Sequence, residues 1–450
     1  MNLNEYMNTL MEQINNKRAK KLVEKEIRNH IEEQTETYEF QGMNYMDAEY
    51  EAVKQMGNPV ETGMNLNKIH RAQIPYSLLA IAFVLTAVGV LMQAVIFPQI
   101  GVQYSSDIYN AYLSKTIIYN VIGFIVIIVI LNLDYSFIAA HSMVLYVLYL
   151  IASIVTSIFL VRNAQNYMVV YYTIILFPLV LAGLIYRFRN EKTIGLVKCI
   201  LLSLFVLGCL AFVSAPNMAG LMETIITIAC VLTLAINKNI FAGSKKLQLA
   251  ILWSTITIPG IIMALSIFIP TLFNRTIHNY RLTRFLSSLS PEKYMNGMGY
   301  RIVKTRNSTK LFSVFGNSSL PDKANTDLYS TYLLNSIFSY FGIAVGITVI
   351  VAFVFFIYKA IAISAMQSNR IGFLIGITCS ISVLLRVIVY IGINFGYSLW
   401  TTTSIPFLPF GFANTIINAV FIGLILSVYR NTNILGERNT IYKHSLKVVK

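Results

Sequence analysis

Two hydrophobic periods divide the chain. Over the first 72 residues apolar positions recur at helical intervals among charged ones: Leu3, Tyr6, Met7, Leu10, Met11 and Ile14, then Leu22, Val23, Ile27 and Ile31. That spacing predicts amphipathic helices. One opens the chain and a second runs from about Arg18 to Glu36. Gly42 breaks the chain, and Asn44 offers an N-cap with Asp47 three residues on. A third helix then runs to Met56, where Gly57-Asn58-Pro59 stops it. The expectation for residues 1–72 is a small three-helix unit.

From residue 76 the pattern changes to long, nearly uncharged runs. There are ten: Tyr76 to Ile96, Thr116 to Leu133, Phe137 to Val161, Met168 to Tyr186, Ile194 to Val213, Met218 to Ile236, Leu247 to Phe273, Tyr332 to Tyr358, Ile371 to Ile393 and Phe407 to Tyr429. Each is long enough to cross about 30 Å of hydrocarbon as a helix. Lipid satisfies no open backbone group, so helices are the expected form. The predicted fold is all-α: a polytopic membrane protein with ten spans (residues 73–430), a helical prefix (1–72) and a basic tail (431–450).

Composition agrees. Of 450 residues 56% are apolar or aromatic and 12% are charged, about half the charge of an ordinary soluble domain. That excludes a soluble multidomain enzyme. The net charge of +15 is unevenly spread: residues 1–72 hold 9 Lys/Arg and 12 Asp/Glu, leaving 26 bases and 8 acids for the rest. Most of those bases flank hydrophobic runs, which points to anionic lipid or a phosphate-bearing substrate and away from nucleic acid. Cys199, Cys209, Cys230 and Cys379 all lie in apolar runs without metal or redox spacing. The polar, helical start carries no signal-peptide pattern.

Basic residues also set the expected orientation. With the N-terminus cytoplasmic, the short inner loops carry Arg187, Arg189, Lys192, Lys238, Lys245, Lys246, Lys359 and Arg370, and the short outer loops only Lys115 and Arg162. The positive-inside rule then places both termini in the cytoplasm of a multi-pass plasma-membrane protein. One connection is long: 58 residues, 274–331, on the outer face, with nine Lys/Arg against Glu292, Asp322 and Asp327. Long loops in compact proteins usually serve a function. Several guanidiniums around one carboxylate suit transfer of a sugar from a lipid diphosphate. Arg neutralises the leaving group and the carboxylate takes the proton of the attacking hydroxyl. Inside the spans, Glu223 and Arg386 both fall in the outer half, where each needs a partner or a cavity. Asp327 could equally cap the eighth span.

The loop sequence resembles a known family. Arg281-Leu-Thr-Arg284-Phe285-Leu286, Pro291, Gly297-Met298-Gly299-Tyr300-Arg301, Phe315-Gly316, Leu320-Pro321 and Asn325-Thr326-Asp327 are similar to the outer-loop signature of the SEDS family, the FtsW/RodA/SpoVE group. Asp134-Tyr135 and the stretch from Asn394 through Pro406, Pro409, Phe410 and Gly411 fit it too. The resemblance implies polymerisation of lipid II into peptidoglycan strands during division, elongation or sporulation. Asp327 would be the catalytic carboxylate, and the metal ligand if a divalent cation (Mg or Mn) takes part. Arg281, Arg284 and Arg301 would bind the substrate diphosphate with Tyr300, and a class B transpeptidase would be the partner. Apart from the resemblance, Arg386 either faces the substrate or pairs with Glu223. Arg301 stands where the family has Gln, and Phe177 to Gly183 lack the family's fourth-span Glu and Lys. A non-catalytic scaffold and a lipid-precursor flippase therefore remain alternatives. Residues Glu26, His30 to Glu33, Gly42, Met46 to Glu49 and Gln55 to Pro59 resemble a HAAS, or permease-prefix, domain, which implies a cytoplasmic docking role.

Overall fold

The computed structural model describes residues 1–69, 73, 75–100, 106–161, 167–213, 218–268, 283–316, 331–397, 405–408 and 411–432. Among them every regular element is helical. The chain separates into two compact units. One is Met1–Ile74 with Gln367–Arg370 and Tyr429–Lys450, and the other is Pro75–Met366 with Ile371–Val428.

The prefix has four helices where the sequence predicted three: α1 (Leu3–Glu12), α2 (Lys17–Phe40), α3 (Tyr45–Gln55) and α4 (Pro59–Ile69). Asn2 caps α1 through Glu5 N–H, at 2.8 Å. Asn44 caps α3 through Asp47 N–H, at 2.9 Å. The fourth helix exists because Gly57-Asn58-Pro59 is a corner as well as a stop. The Asn58 side chain accepts from Val60 N–H at 2.9 Å, and Pro59 sits at the first helical position, where its missing N–H costs nothing. Gly63 lets α4 close on α1; a Cβ there would lie 2.8 Å from Leu10 O. Tyr6, Met7, Leu10, Ile14, Val23, Ile31, Ala52 and Val53 form the core, which follows the predicted stripes.

Among the described residues seven helices are long and apolar enough to cross a membrane: Tyr76–Pro98, Asn110–Asn132, Lys192–Leu210, Gly220–Asn237, Ile343–Ala365, Arg370–Asn394 and Phe412–Arg430. They belong to α5 (Tyr76–Ile100), α6 (Ser106–Asn132), α10 (Lys192–Val213), α11 (Met218–Asn237), α16 (Ile343–Ala365), α17 (Arg370–Asn394) and α18 (Phe412–Arg430). The other apolar runs fold as α7 (Ser136–Ala140), α8 (Ser142–Val161), α9 (Tyr167–Arg187) and α12 (Lys245–Phe268). Between α12 and α16 lie a helix over residues 283–289, here α13, a 3-10 turn (Pro291–Tyr294), α14 (Tyr300–Thr309) and α15 (Leu333–Phe341).

Helix breaks are repaired by neighbours, as a membrane interior demands. Pro178 inside α9 frees the carbonyl of Ile174, and the Thr224 hydroxyl of α11 donates to that carbonyl at 3.2 Å. The run read as an eighth span is two helices, α15 and α16, with Gly342 between them at φ +95. Gly342 lies against Gly316, at φ +78; a Cβ on Gly342 would meet Gly316 N at 2.3 Å. Both positions need the left-handed backbone that glycine alone adopts cheaply.

Candidate functional site

The connection before α15 is folded in its described part. Gly299 packs directly on Pro291, whose carbonyl oxygen a Cβ would meet at 2.2 Å. That close approach folds the 3-10 turn back onto α14. Three polar residues then fasten the assembly to α17. The Ser308 hydroxyl donates to Asn335 Oδ1 at 2.8 Å. Asn335 N–H donates to Asn394 Oδ1 and Asn335 Nδ2 to Asn394 O, both at 2.9 Å. Arg306 completes the fastening. Its Nε donates to Gly396 O at 3.0 Å, its guanidinium lies 5.3 Å from the centre of the Tyr397 ring, and it pairs with Glu292 at 3.5 Å. Two sequence stretches 90 residues apart, around Arg306 and around Gly396, are thereby brought together.

Arg284 sits half-buried on α13, while Tyr300 and Arg301 stand exposed on the first turn of α14. Lys304 donates to the Tyr300 hydroxyl at 3.0 Å. Arg301, Lys304 and Arg306, with no acid among its ten residues, make α14 a basic helix. Arg281 and Asp327 lie outside the described residues.

Arg386 has a different setting. It is wholly buried in α17, and Glu223 of α11 is 4% exposed; Arg386 Nε lies 3.7 Å from Glu223 Oε1. The Tyr171 hydroxyl of α9 donates to Glu223 Oε2 at 2.8 Å. Arg386 Nη1 donates to Asn418 Oδ1 of α18 at 2.7 Å, and Asn418 Nδ2 to Asn414 Oδ1 at 2.5 Å. Asn414 Nδ2 donates to Ile405 O at 3.4 Å. The guanidinium also lies 4.8 Å from the centre of the Phe421 ring. The sequence suggested Glu223 and Arg386 as partners, and here they meet. It did not single out Tyr171, Asn414 or Asn418. The two asparagines, four apart in an apolar run, were the available signal.

Ahead of Asn414, residues 405–408 are not helical, yet they pack against the middle of α16. Ile405 and Leu408 are each 1% exposed, and Gln93 of α5 donates to Leu408 O. Gly89 of α5 lets Phe407 O approach. The Phe407 ring meets Phe356 at 5.3 Å and Phe353 at 6.2 Å, in the middle turns of α16. Irregular backbone at that depth survives only when protein satisfies it, which Gln93 and Asn414 do. Phe407 itself holds φ +74, a strained setting for a bulky residue. Beside this wedge a small cleft of about 20 Å³ is lined by Thr86, Asn120, Thr415 and Asn418, with Phe124, Ile127, Phe407 and Ile422. Its walls mix polar and apolar side chains and carry no charge.

A polytopic helical domain with a folded connection before α15 and a wedge before α18 is a specific architecture. A family model described as cell cycle protein, FtsW/RodA/SpoVE, matches residues 76–434. This chain belongs to the FtsW/RodA/SpoVE family. It is a multi-pass membrane protein, as the family and the seven apolar helices together require. Among solved structures, a chain described under "Structural coordination of polymerization and crosslinking by a peptidoglycan synthase complex" is similar in fold. The TM-score is 0.59 at 14% identity, over 80% of this chain and 98% of that one. A search of curated proteins gives no match. Within this family fold, the described part of the connection carries Arg284, Tyr300 and Arg301 on α13 and α14, whereas Arg386 braces α9, α11, α17 and α18 inside the membrane.

Proposed function

We propose that this protein polymerises peptidoglycan glycan strands from lipid II. Family membership over residues 76–434 is the observation that carries the reading, and the basic helix α14 fits it chemically. Ten crossings with both termini in the cytoplasm put the connection of residues 274–331 on the outer face. There Arg281, Arg284 and Arg301 neutralise the diphosphate of the donor, with Tyr300 beside them. Asp327 takes the proton from the acceptor sugar hydroxyl as its oxygen attacks the anomeric carbon of the donor. The bond from that carbon to the diphosphate breaks, and undecaprenyl diphosphate leaves with both electrons. Among the described residues no three His, Cys, Asp or Glu side chains converge as a metal site; Asp327 would be the ligand if a divalent cation, Mg or Mn, takes part. The prefix serves as a cytoplasmic docking domain, and a class B transpeptidase cross-links the strands.

The scaffold reading has an observation of its own, since Phe177 to Gly183 supply no charged group to α9. Purified protein, fluorescent lipid II and a magnesium or manganese salt separate the two. Polymer on a gel supports the transferase. Absence of polymer from folded protein that still captures its transpeptidase establishes the scaffold.

A further inference from the structure

The segment between α14 and α15 exposes a cluster of apolar side chains that the family reading does not use. Leu311 is 65% exposed, Val314 57% and Phe315 88%. Phe312, in the same turn, points the other way. It stacks on Phe338 at 5.3 Å and meets Phe395 edge-on at 6.3 Å. The inward ring fixes the segment, and its neighbours are thereby directed outward.

The backbone holds this prong against the end of a membrane span. Ile343 N–H donates to Ser313 O at 2.9 Å and Ala344 N–H to Val314 O at 3.3 Å. These are first-turn amides of α16, groups a helix cannot satisfy itself. The Gly316–Gly342 contact locks the same junction. Residues 313–315 therefore sit level with the first turn of α16. That helix has 23 residues, or about 35 Å of length at 1.5 Å per residue, against a hydrocarbon core of about 30 Å. Its first turn thus lies at the boundary between hydrocarbon and headgroups. The exposed side of α16, Ala344, Ile347, Val351, Val354 and Phe355, starts beside Val314. In the chain on its own this apolar side has lipid for its neighbour, and the prong extends it.

We propose that Leu311, Val314 and Phe315 insert into the bilayer leaflet at the N-terminal end of α16 and anchor α14 to the membrane surface. The partner is the lipid itself. Exposed Lys310 and Arg301 on the adjoining helix lie where lipid phosphates would meet them. This anchoring depends neither on which face of the membrane α14 occupies nor on glycan polymerisation.

The test uses the full chain in nanodiscs at one copy per disc. Phe315→Cys carries a polarity-sensitive fluorophore, and Asn307→Cys, on the exposed side of α14, serves as control. The parent chain with its four native cysteines is labelled in parallel as the blank. At position 315 the expected result is blue-shifted emission, loss of most of it when the lipids carry nitroxides near the headgroup, and protection from iodide. At 307 iodide quenches and nitroxide lipids do so weakly. Iodide quenching at 315 equal to that at 307 overturns the proposal. So does blue-shifted emission that neither quencher reaches, because protein then covers the prong. Leu311→Cys repeats the measurement if Phe315→Cys fails to fold, and the same outcomes decide.

Discussion

Helices α6 and α17 have the same mean hydropathy over their candidate spans, 2.2, yet 17% of one window is buried and 72% of the other. Hydropathy identifies both as spans and says nothing of which lies inside. In a bilayer the apolar surface of α6 costs nothing to expose, because lipid is as apolar as its side chains. Polar and small residues sort the helices. α17 carries Gly376, whose absent side chain admits Ser364 of α16, Ser380, which meets Ser364 at 3.3 Å, and Arg386, which no lipid-facing position would tolerate. α6 presents Ile117, Val121, Ile125 and Ile128 to the outside.

The contrast predicts a ladder of effects. The largest is at Arg386. Arg386→Ala leaves Glu223 buried without its counter-ion, and loss of one partner of such a pair costs about 3–5 kcal/mol. The melting temperature in detergent should fall sharply, and Arg386→Met with Glu223→Met should recover much of it; a double variant no better than the single would remove the pairing argument. Next is Gly376→Leu, which drives a side chain into Ser364. Overpacking of this kind costs about 1–3 kcal/mol, seen as a lower melting temperature that Ser364→Ala partly relieves. Asn418→Ala removes an acceptor from Arg386 and a donor to Asn414. About 1–3 kcal/mol is expected for buried groups left unpaired, with a smaller signal in variants that lack Arg386. Smallest is Ile125→Ala on α6, expected within about 0.5 kcal/mol as at other surface positions. A loss at Ile125 as large as at Gly376 would show α6 to be packed against something other than lipid.

The same distinction explains what the sequence disclosed. Hydrophobic period gave the helical class, the apolar runs and the prefix core from Tyr6 to Ile31, because burial of apolar faces is local and periodic. The fourth prefix helix escaped notice because Gly57-Asn58-Pro59 stops one helix and starts the next with the same residues. The break at Gly342 was hidden inside a continuous apolar run; only the opposing Gly316, 26 residues earlier, makes it necessary. Glu223 and Arg386 could be matched from depth alone, since buried charge needs a counter-charge. Tyr171 and Asn418 could not, because a phenol or an amide tolerates many partners and its choice is tertiary. Phe407 and Leu408 read as the start of a span, for nothing in two apolar residues distinguishes irregular backbone held by Gln93 and Asn414 from a helix.

Lipid II polymerisation by Asp327→Ala, compared with the parent protein at equal melting temperature, is the most direct test of the function proposed here. The account predicts that polymer disappears while membrane insertion and thermal stability stay unchanged. Strands of normal yield and length from that variant would contradict it.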